Sequence, residues 1–497
     1  MELHAATFNN LREISVADNI IPLCELAKNL AEAGEFESAC ETLQPFWAGL
    51  LHRPDTAGLA EDAKAELLLR AGTLTGWLGS AKQIAGAQEA AKDLISESAS
   101  IFETLGNTEK IAEARVDLAI CYWREGALDE ARVTLSLVLD SLGAVPSEQK
   151  LRALLNSAIV ERGANRDHDA LRIYREAAPQ FADCPNLALK GKFHNAYAIL
   201  LRSLSSSEKR EDYIDSALVE FAAASFHFEQ VGFHSLQAIV ENNVGFLFAS
   251  IGRFREAYDH VKSARRLFVQ LEDYKGIAHT DDTLAQIFLM EGNSTEAERV
   301  ARRAVQALKQ GGEQTFLAEA LTTHGRALAR LNQTMVAKTA LDQAVEISQT
   351  AGNPDRGGIA AVTAIEELSN YLPVDALQNY YHTAESLLSN SQNLSLRTRL
   401  GECARRVLSV ALANAATTTN TVPPLQPGFS LDSEVLRYEG NLIRRALEES
   451  GGSVTRAARL LGVTHQGLAF ILNGRHNDLL SIRTPVKRRR RSIIRHH

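Results

Sequence analysis

Small and apolar residues recur along most of this chain with a period of about 40 residues, a length typical of helical repeats. In GFLFASIGRFREAYDHVKSA, residues 245–264, Gly245 is followed by Gly252 and then by apolar residues three or four positions apart. The next two copies of the pattern are centred on Ala285 and Gly325, and others lie towards the N-terminus. Spacings of three and four indicate α-helices with one apolar face.

Each copy predicts a pair of antiparallel helices. A small residue in the first helix and an alanine early in the second let two backbones approach closely. A glycine such as Gly252 tolerates the positive φ at which a first helix ends. One hairpin cannot bury its apolar face alone, whereas stacked hairpins can, so the pattern predicts a superhelical solenoid.

This pattern resembles a long version of the tetratricopeptide repeat over residues 15–385. Extra residues follow two of the units, and the tryptophan common in the family's first helix is missing from most of them. The resemblance implies an all-α, tetratricopeptide-like superhelical solenoid whose concave face binds a protein or peptide. We count about nine units, centred on Ala27, Gly72, Ala119, Ala158, Ala196, Gly245, Ala285, Gly325 and Ala364.

Polar residues form one column on the predicted first helices. Asn156 and Asn243 match the asparagine that touches bound peptide in some members of the family, and His194 stands in the same column. The alternative is that these side chains form hydrogen bonds within the array. Asn156, His194 and Asn243 are our candidates for a partner groove.

The C-terminal segment has a different helical pattern. It predicts a helix that Ser430 to Asp432 can cap and that runs to about Ser450, followed by short helices over 454–461 and 465–473. Ser453 and Thr464 stand at the N-cap positions of the two short helices. A three-helix bundle of this size is predicted to fold beside the solenoid.

The two short helices have the spacing of a helix-turn-helix. Gly462 allows the tight turn, and Ala458 permits a close crossing of the helices. The exposed part of the third helix is then its N-terminal end, which in such units enters the major groove. The residues expected to fill the space between the helices are Leu461, Val463, Leu468 and Ile471.

The stretch EGNLIRRALEESGGSVTRAARLLGVTHQGLAFIL resembles the Fis-type helix-turn-helix, a DNA-binding module of bacterial regulators. The matching parts are LIRRAL, GG, AARLLGV and the leucines Leu468 and Leu472. The resemblance implies that bases or phosphates are contacted by Thr464, His465, Gln466 and Gly467. It also implies that Arg456 and Arg459 contact the DNA backbone.

This sequence departs from the family at Ala469 and Phe470, where many members carry arginine or lysine. We therefore expect the third helix alone to bind DNA weakly. The chain has a formal net charge of −8, but residues 430–497 carry 13 Lys+Arg and 6 Asp+Glu. This basic end is expected to add phosphate contacts, which give affinity without sequence choice, through Arg475, Lys487, Arg488, Arg489, Arg490 and Arg491.

Other motifs limit the range of functions. The chain has no run of about 18 apolar residues that would span a membrane and no secretory signal at its start. Its five cysteines are dispersed, which is typical of reduced thiols in a cytoplasm. We find no nucleotide-binding G-x-x-x-x-G-K-[ST], no HExxH and no GxSxG, so no enzyme, metal site or cofactor is predicted.

These patterns divide the chain into four parts. Residues 1–413 are the solenoid with its capping helices, 414–430 a linker rich in threonine and proline, 431–475 the helix-turn-helix bundle and 476–497 a basic tail. The sequence predicts a cytoplasmic, bacterial-type transcriptional regulator that binds double-stranded DNA as a homodimer and a protein or peptide in its groove. The alternative is a repeat scaffold that binds nucleic acid only loosely.

Overall fold

The computed structural model describes residues 20–482, except 83, 144–145, 312–313, 352, 390, 392–393 and 420–429. This part of the chain is all-α and contains no strand. The chain divides into two compact units, residues 1–414 and 415–497. No helix among the described residues combines the length and apolar character needed to cross a bilayer.

Nine helical hairpins follow one another in the described part of the first unit, and each contains one of the predicted repeat centres in its first helix. The hairpins are α1 Ile20–Ala33 with α2 Phe36–Leu43, α3 Glu61–Ala81 with α4 Ala87–Thr104, α5 Thr108–Glu125 with α6 Leu128–Leu142, α7 Glu148–Gly163 with α8 Asp167–Ala182, α9 Leu187–Glu208 with α10 Asp212–Gln230, α11 His234–Ser250 with α12 Phe254–Gln270, α13 Tyr274–Glu291 with α14 Ser294–Gly311, α15 Gln314–Arg330 with α16 Thr334–Thr350, and α17 Pro354–Leu368 with α18 Val374–Leu387.

The small residue at the centre of a first helix lies directly against the second helix. A Cβ atom built on Gly245 would stand 2.5 Å from Cγ2 of Val261, and one on Gly325 would stand 2.7 Å from Cγ of Leu341. Real Cβ atoms do not approach other atoms this closely. The close approach of two backbones predicted from the sequence is therefore confirmed, and the repeat is a helical hairpin.

The two insertions in the repeat lengthen first helices. Helix α3 has 21 residues and α9 has 22, whereas the other seven first helices have 14 to 18. The polar stretch after Ala196 continues α9 to Glu208, and the helix ends at Lys209 with a φ of 55°. The spacing of apolar residues inside each of these two hairpins is unchanged, because the extra residues extend the end of a helix.

A further helix, α19 Leu394–Thr419, follows the last hairpin. The sequence predicted a linker from residue 414, but this helix continues to Thr419. The reason is local: ALANAA, residues 411–416, favours a helix, and no proline stands between it and Pro423. The remainder of the predicted linker, 420–429, lies outside the described residues.

The second unit is a small bundle of three helices and a 3₁₀ turn. Its elements are α20 Leu431–Glu449, α21 Val454–Leu460, α22 His465–Asn473 and the 3₁₀ turn Asn477–Ile482. The helix bounds agree closely with the predicted ones. The buried core consists of Ile443, Ala446, Leu447, Val454, Ala457, Ala458, Leu468, Leu472 and Leu479.

Two expectations for this bundle are corrected by the structure. Val463 does not fill the space between α21 and α22, because it is 42% exposed, whereas Leu461 and Ile471 do pack against the core. The basic tail does not begin at residue 476, because His476 and Leu479 are buried. Gly440 lies so close that a Cβ atom there would stand 3.0 Å from Cε1 of His476. The bundle therefore extends to Ile482.

Candidate nucleic-acid interface and repeat groove

The start of α22 is fixed by local hydrogen bonds. The backbone N–H of Gly467 donates to Oγ1 of Thr464 at 3.0 Å, so Thr464 is the N-cap that the sequence predicted. In the turn before it, Gly462 has a φ of 67°, and the N–H of Val463 donates to the carbonyl of Ala458 at 2.9 Å. These bonds set the angle between α21 and α22 and present the first turn of α22 to solvent.

Most of the predicted DNA-contacting residues of this bundle are exposed. Thr464, His465 and Gln466 are exposed and Gly467 is half-buried. Arg456 and Arg459 are exposed on α21, and neither has a carboxylate within ion-pair distance among the described residues. Two cations without acidic partners therefore lie on the helix that precedes the exposed start of α22.

The exposure of Phe470 was not predicted from the sequence. Its side chain is 80% exposed, although it is a large apolar residue. It lies four residues after Gln466 and three before Asn473, so these three exposed residues share one side of α22. A phenylalanine exposed on this side can contact the methyl group of thymine in the major groove.

Arg475 is already engaged within the bundle. Its Nη2 atom lies 2.6 Å from Oε1 of Glu439, and Nε2 of His476 lies 3.0 Å from the other oxygen of this carboxylate. Burial opposes the charged form of Glu439, but these two hydrogen bonds outweigh it and hold the pKa of Glu439 below its usual value. Arg475 thus ties the end of the bundle to α20, and a phosphate would compete with Glu439 for it.

The first half of α20 carries an exposed apolar stripe, made of Leu431, Val435, Tyr438 and Leu442. These side chains are between 44% and 68% exposed. Their spacing of four, three and four residues is that of the seam of a two-stranded coiled coil. Exposed apolar stripes often mark protein–protein contacts.

The three candidate groove residues of the solenoid each form a hydrogen bond within the array. Nδ2 of Asn156 donates to the carbonyl of Arg152 at 2.8 Å, Nδ1 of His194 lies 2.6 Å from Oε2 of Glu220, and Nδ2 of Asn243 donates to Oδ1 of Asn195 at 3.3 Å. Asn156 also lines a cavity of about 360 Å³ between the first helices of the first six hairpins; His194 and Asn243 do not line it.

A network of buried charges lies beside this cavity. Nη2 of Arg70 donates to Oε1 of Glu113 at 2.6 Å, and Nζ of Lys110 lies 2.8 Å from Glu66 and 3.0 Å from Glu113. Burial opposes the charge of Glu113, but the surrounding cations outweigh it and hold the pKa of Glu113 far below its usual value. The network joins the first helices of neighbouring hairpins.

Comparison with known families decides the nature of the C-terminal bundle. The family described as "Bacterial regulatory protein, Fis family" matches residues 437–469, which extend from α20 to the middle of α22. The chain carries a Fis-type helix-turn-helix domain. It follows a solenoid of tetratricopeptide-like hairpins. No curated protein matched the chain by sequence.

Solved structures that are similar to this chain share little sequence identity with it. Yeast Tom70 is 12% identical, with 82% of this chain and 84% of Tom70 covered and a TM-score of 0.48. A Rap protein complexed with competence and sporulation factor is 12% identical, with 70% of this chain and 99% of that chain covered and a TM-score of 0.45. Similarity this distant assigns no function or partner to this chain.

The Fis-type domain places six of the twelve predicted DNA contacts on α21 and at the start of α22. Arg475 follows the end of α22 and pairs with Glu439. The run Lys487–Arg491 lies outside the described residues. Sequence reasoning missed Phe470 as a possible contact because it treated the lack of charge as a loss. The signal was present in the spacing of Gln466, Phe470 and Asn473, which places all three on one side of a helix.

Proposed function

We propose that this protein is a sequence-specific, DNA-binding transcriptional regulator of bacterial type. One observation carries the proposal: Arg456 and Arg459, free of acidic partners among the described residues, lie next to the exposed, capped start of α22. Cations on this helix can hold phosphates while the start of the third helix enters the major groove. The repeat solenoid supplies a concave surface for a protein or peptide partner. No catalytic step is assigned to the chain.

We assign the recognition of the DNA base sequence to Gln466 and Phe470. A glutamine can form two hydrogen bonds with an adenine edge, which is worth about 1–3 kcal/mol of discrimination, and phenylalanine can pack on a thymine methyl group. We expect Gln466→Ala to lose about that amount for the specific site and little for random DNA. Quantitative binding of the full-length protein to both DNAs, at one salt concentration, measures the two values.

Phe470→Ala has its own readout, because deoxyuridine lacks the methyl group of thymine. The unmodified protein should bind a specific site in which thymine is replaced by deoxyuridine about 1 kcal/mol more weakly, and the variant should bind both sites equally. Phe226→Ala is the control, since Phe226 is a 56% exposed phenylalanine of the solenoid. Equal binding of both sites by the unmodified protein would exclude this role of Phe470.

We further propose that the protein is a homodimer joined through the apolar stripe of α20. One helix-turn-helix reads only a short half-site, and dimers of such units bind two half-sites about one helical turn apart. The stripe has the spacing that a second copy of α20 would complement. The expected surface is self-complementary, as in any two-fold dimer.

The dimer proposal predicts that Val435→Glu converts the full-length protein from dimer to monomer and weakens binding to a two-half-site DNA far more than to a single half-site. Charge in the middle of an apolar seam is costly when the seam is buried. Light scattering after size-exclusion chromatography measures the mass. Val219→Glu is the matched control, because Val219 is also exposed, at 67%, and lies on the solenoid. A monomeric unmodified protein contradicts the proposal.

The groove and the cellular location complete the proposal. Asn156, His194 and Asn243 remain the proposed partner contacts, and the first helices that carry them face a common cavity region. A cytoplasmic location fits a DNA-binding protein with unpaired cysteines.

Genomic footprinting of the full-length protein tests the function as a whole. A regulator should protect a small number of related sites, and its specific affinity should exceed its affinity for random DNA by about 10³-fold or more at physiological salt. Uniform weak protection with a low specificity ratio would instead identify a repeat scaffold that binds nucleic acid loosely.

A further inference from the structure

The cavity between the first six hairpins has the size and lining of a small-molecule site. Its volume of about 360 Å³ lies within the range of about 300–1,000 Å³ that is common for such sites. Most of its walls are apolar. The apolar lining includes Phe36, Trp77, Ile120, Leu155, Leu189 and Ile239.

Two charged groups at this cavity form no ion pair within 4.0 Å among the described residues. Lys192 on α9 lines it, and no carboxylate of the described residues lies within 4.0 Å of its ammonium group. Glu32 at the end of α1 also lines it and has no hydrogen-bond or ion-pair partner in the described part of the chain. Unpaired charges in an apolar site are costly, and proteins normally pair them.

The pKa of Lys192 reflects the cost of burying its charge. Burial lowers the pKa of Lys192 to about 8, and Glu32 is the charged group that opposes this shift most strongly. Asp117 and Glu148, which also line the cavity, raise the pKa of Lys192, whereas Arg152 lowers it. Asp117 and Glu148 are engaged by other groups: Asp117 accepts from Arg152 at 3.0 Å and Glu148 from Asn186 at 3.2 Å.

Arg152 provides a second donor beside Lys192. Its Nη2 atom binds Asp117, and its buried Nη1 atom lies 3.7 Å from Oε1 of Glu113 but makes no hydrogen bond among the described residues. Lys28 and Arg70, the other cations of the lining, are both paired with Glu113, at 3.2 and 2.6 Å. Among the described residues, the cavity therefore offers an ammonium group and a carboxylate without ion pairs, a guanidinium nitrogen without a hydrogen bond, and apolar walls.

We propose that this cavity binds a small apolar zwitterion, a free α-amino acid with a large aliphatic or aromatic side chain, whose carboxylate is held by Lys192 and Arg152 and whose ammonium group is held by Glu32. The proposal rests on the proposed function, because it names the ligand class that the solenoid of the regulator would sense. A short apolar peptide with free ends presents the same chemistry.

The same region of the solenoid is bridged by an ion pair between distant hairpins. Nζ of Lys275 on α13 lies 3.1 Å from Oε1 of Glu37 on α2, although the two are far apart in the sequence, and Lys82 lies 3.6 Å from the same oxygen. Glu37 follows Phe36, which lines the cavity. This ion pair joins the first hairpin, which lines the cavity, to the seventh.

Isothermal titration calorimetry of the full-length protein tests the assignment with five ligands: leucine, phenylalanine, tri-leucine, leucinamide and N-acetyl-leucine. We expect leucine or phenylalanine to bind. Leucinamide, which lacks the carboxylate, and N-acetyl-leucine, which lacks the ammonium group, should bind roughly tenfold to a hundredfold more weakly than leucine. Binding of tri-leucine without binding of leucine or phenylalanine would identify a short peptide as the source of the zwitterion.

Two variants connect each end of the ligand to one side chain. Lys192→Gln should bind leucine and leucinamide with affinities that are closer together than in the unmodified protein, because only Arg152 is left to hold the carboxylate. Glu32→Gln should bind leucine and N-acetyl-leucine equally. Lys190→Gln on α9 and Glu25→Gln on α1 are the matched controls and should bind like the unmodified protein. The ligand series on the unmodified protein stays decisive even if a variant fails to fold.

Two results would overturn the assignment. One is no heat of binding with leucine, phenylalanine and tri-leucine at millimolar concentration. The other is binding that is insensitive both to the end groups of the ligand and to the two variants. The same preparation is also tested for specific DNA binding. If it binds DNA specifically but binds none of these ligands, the proposed regulatory function stands and only the ligand assignment fails.

Discussion

Replacing Lys487 to Arg491 with five glutamines is expected to reduce the slope of log K against log salt concentration by about 4–5 units, since each phosphate neutralised in double-stranded DNA contributes about −0.9 through counterion release. Affinity at low salt should fall steeply. The ratio of specific to random binding should change little, because phosphate contacts carry no sequence information. Binding of the full-length protein at several salt concentrations gives the slope.

The control for this experiment is Arg299→Gln, because Arg299 is an exposed arginine of the solenoid that pairs with Glu296 at 2.6 Å. Its slope should equal that of the unmodified protein. A glutamine-substituted tail with an unchanged slope would show that these five residues do not contact phosphates. The DNA contacts would then be confined to Arg456, Arg459 and the start of α22.

Replacing Glu113 with glutamine is expected to lower the free energy of unfolding of the solenoid by about 3–5 kcal/mol, the usual effect of removing one partner from a buried ion-pair network. The loss arises because the remaining charges stay buried without compensation. The Glu113 side chain is 2% exposed and lies within 3.2 Å of charged atoms of Lys28, Arg70 and Lys110. Urea denaturation followed by circular dichroism measures the loss.

The pH dependence of stability provides a second readout for Glu113. Its pKa in the folded protein is well below its usual value, so its contribution is complete above the unfolded value of about 4.3 and is lost as pH falls below that value towards the folded pKa. The unmodified protein should lose this contribution in acid, and Glu113→Gln should lack that part of the decline.

Glu256→Gln is the control for both readouts. Glu256 is exposed and forms its ion pair with Arg253 on the protein surface, where such pairs contribute little. It should leave the denaturation midpoint unchanged. If Glu113→Gln were as stable as this control, the buried network would not be a stabilising element of the solenoid.

The helical hairpins and the Fis-type domain could be predicted because their signals are local. The small residues at Gly245 and Gly325 recur with the repeat, and each lies opposite a side chain in the second helix of its own hairpin, Val261 or Leu341. Thr464 caps α22 through a hydrogen bond to Gly467, within the first turn of the helix. Contacts over such short separations follow from helix geometry alone.

The incorrect details depended on what packs against a residue. Val463 is apolar, and only the crossing of α21 and α22 decides that Leu461 and Ile471 are packed while Val463 is not. The segment after Arg475 appeared polar enough for a tail, but the imidazole ring of His476 packs against the backbone of Gly440, where a side chain would leave no room for it. Phe470 was considered only as a position without charge, and the structure adds that its side chain is exposed.

The sequence by itself determined the repeat, a count of about nine hairpins and the three helices of the C-terminal domain, because each depends on neighbours within about one hairpin. Only the tertiary structure decided the buried charge network, the cavity with Lys192 and Glu32, and the ion pair between Glu37 and Lys275. These features join side chains from different hairpins, and their meeting depends on the pitch of the superhelix. Small rotations between successive hairpins set that pitch, and they leave no periodic signal in the sequence.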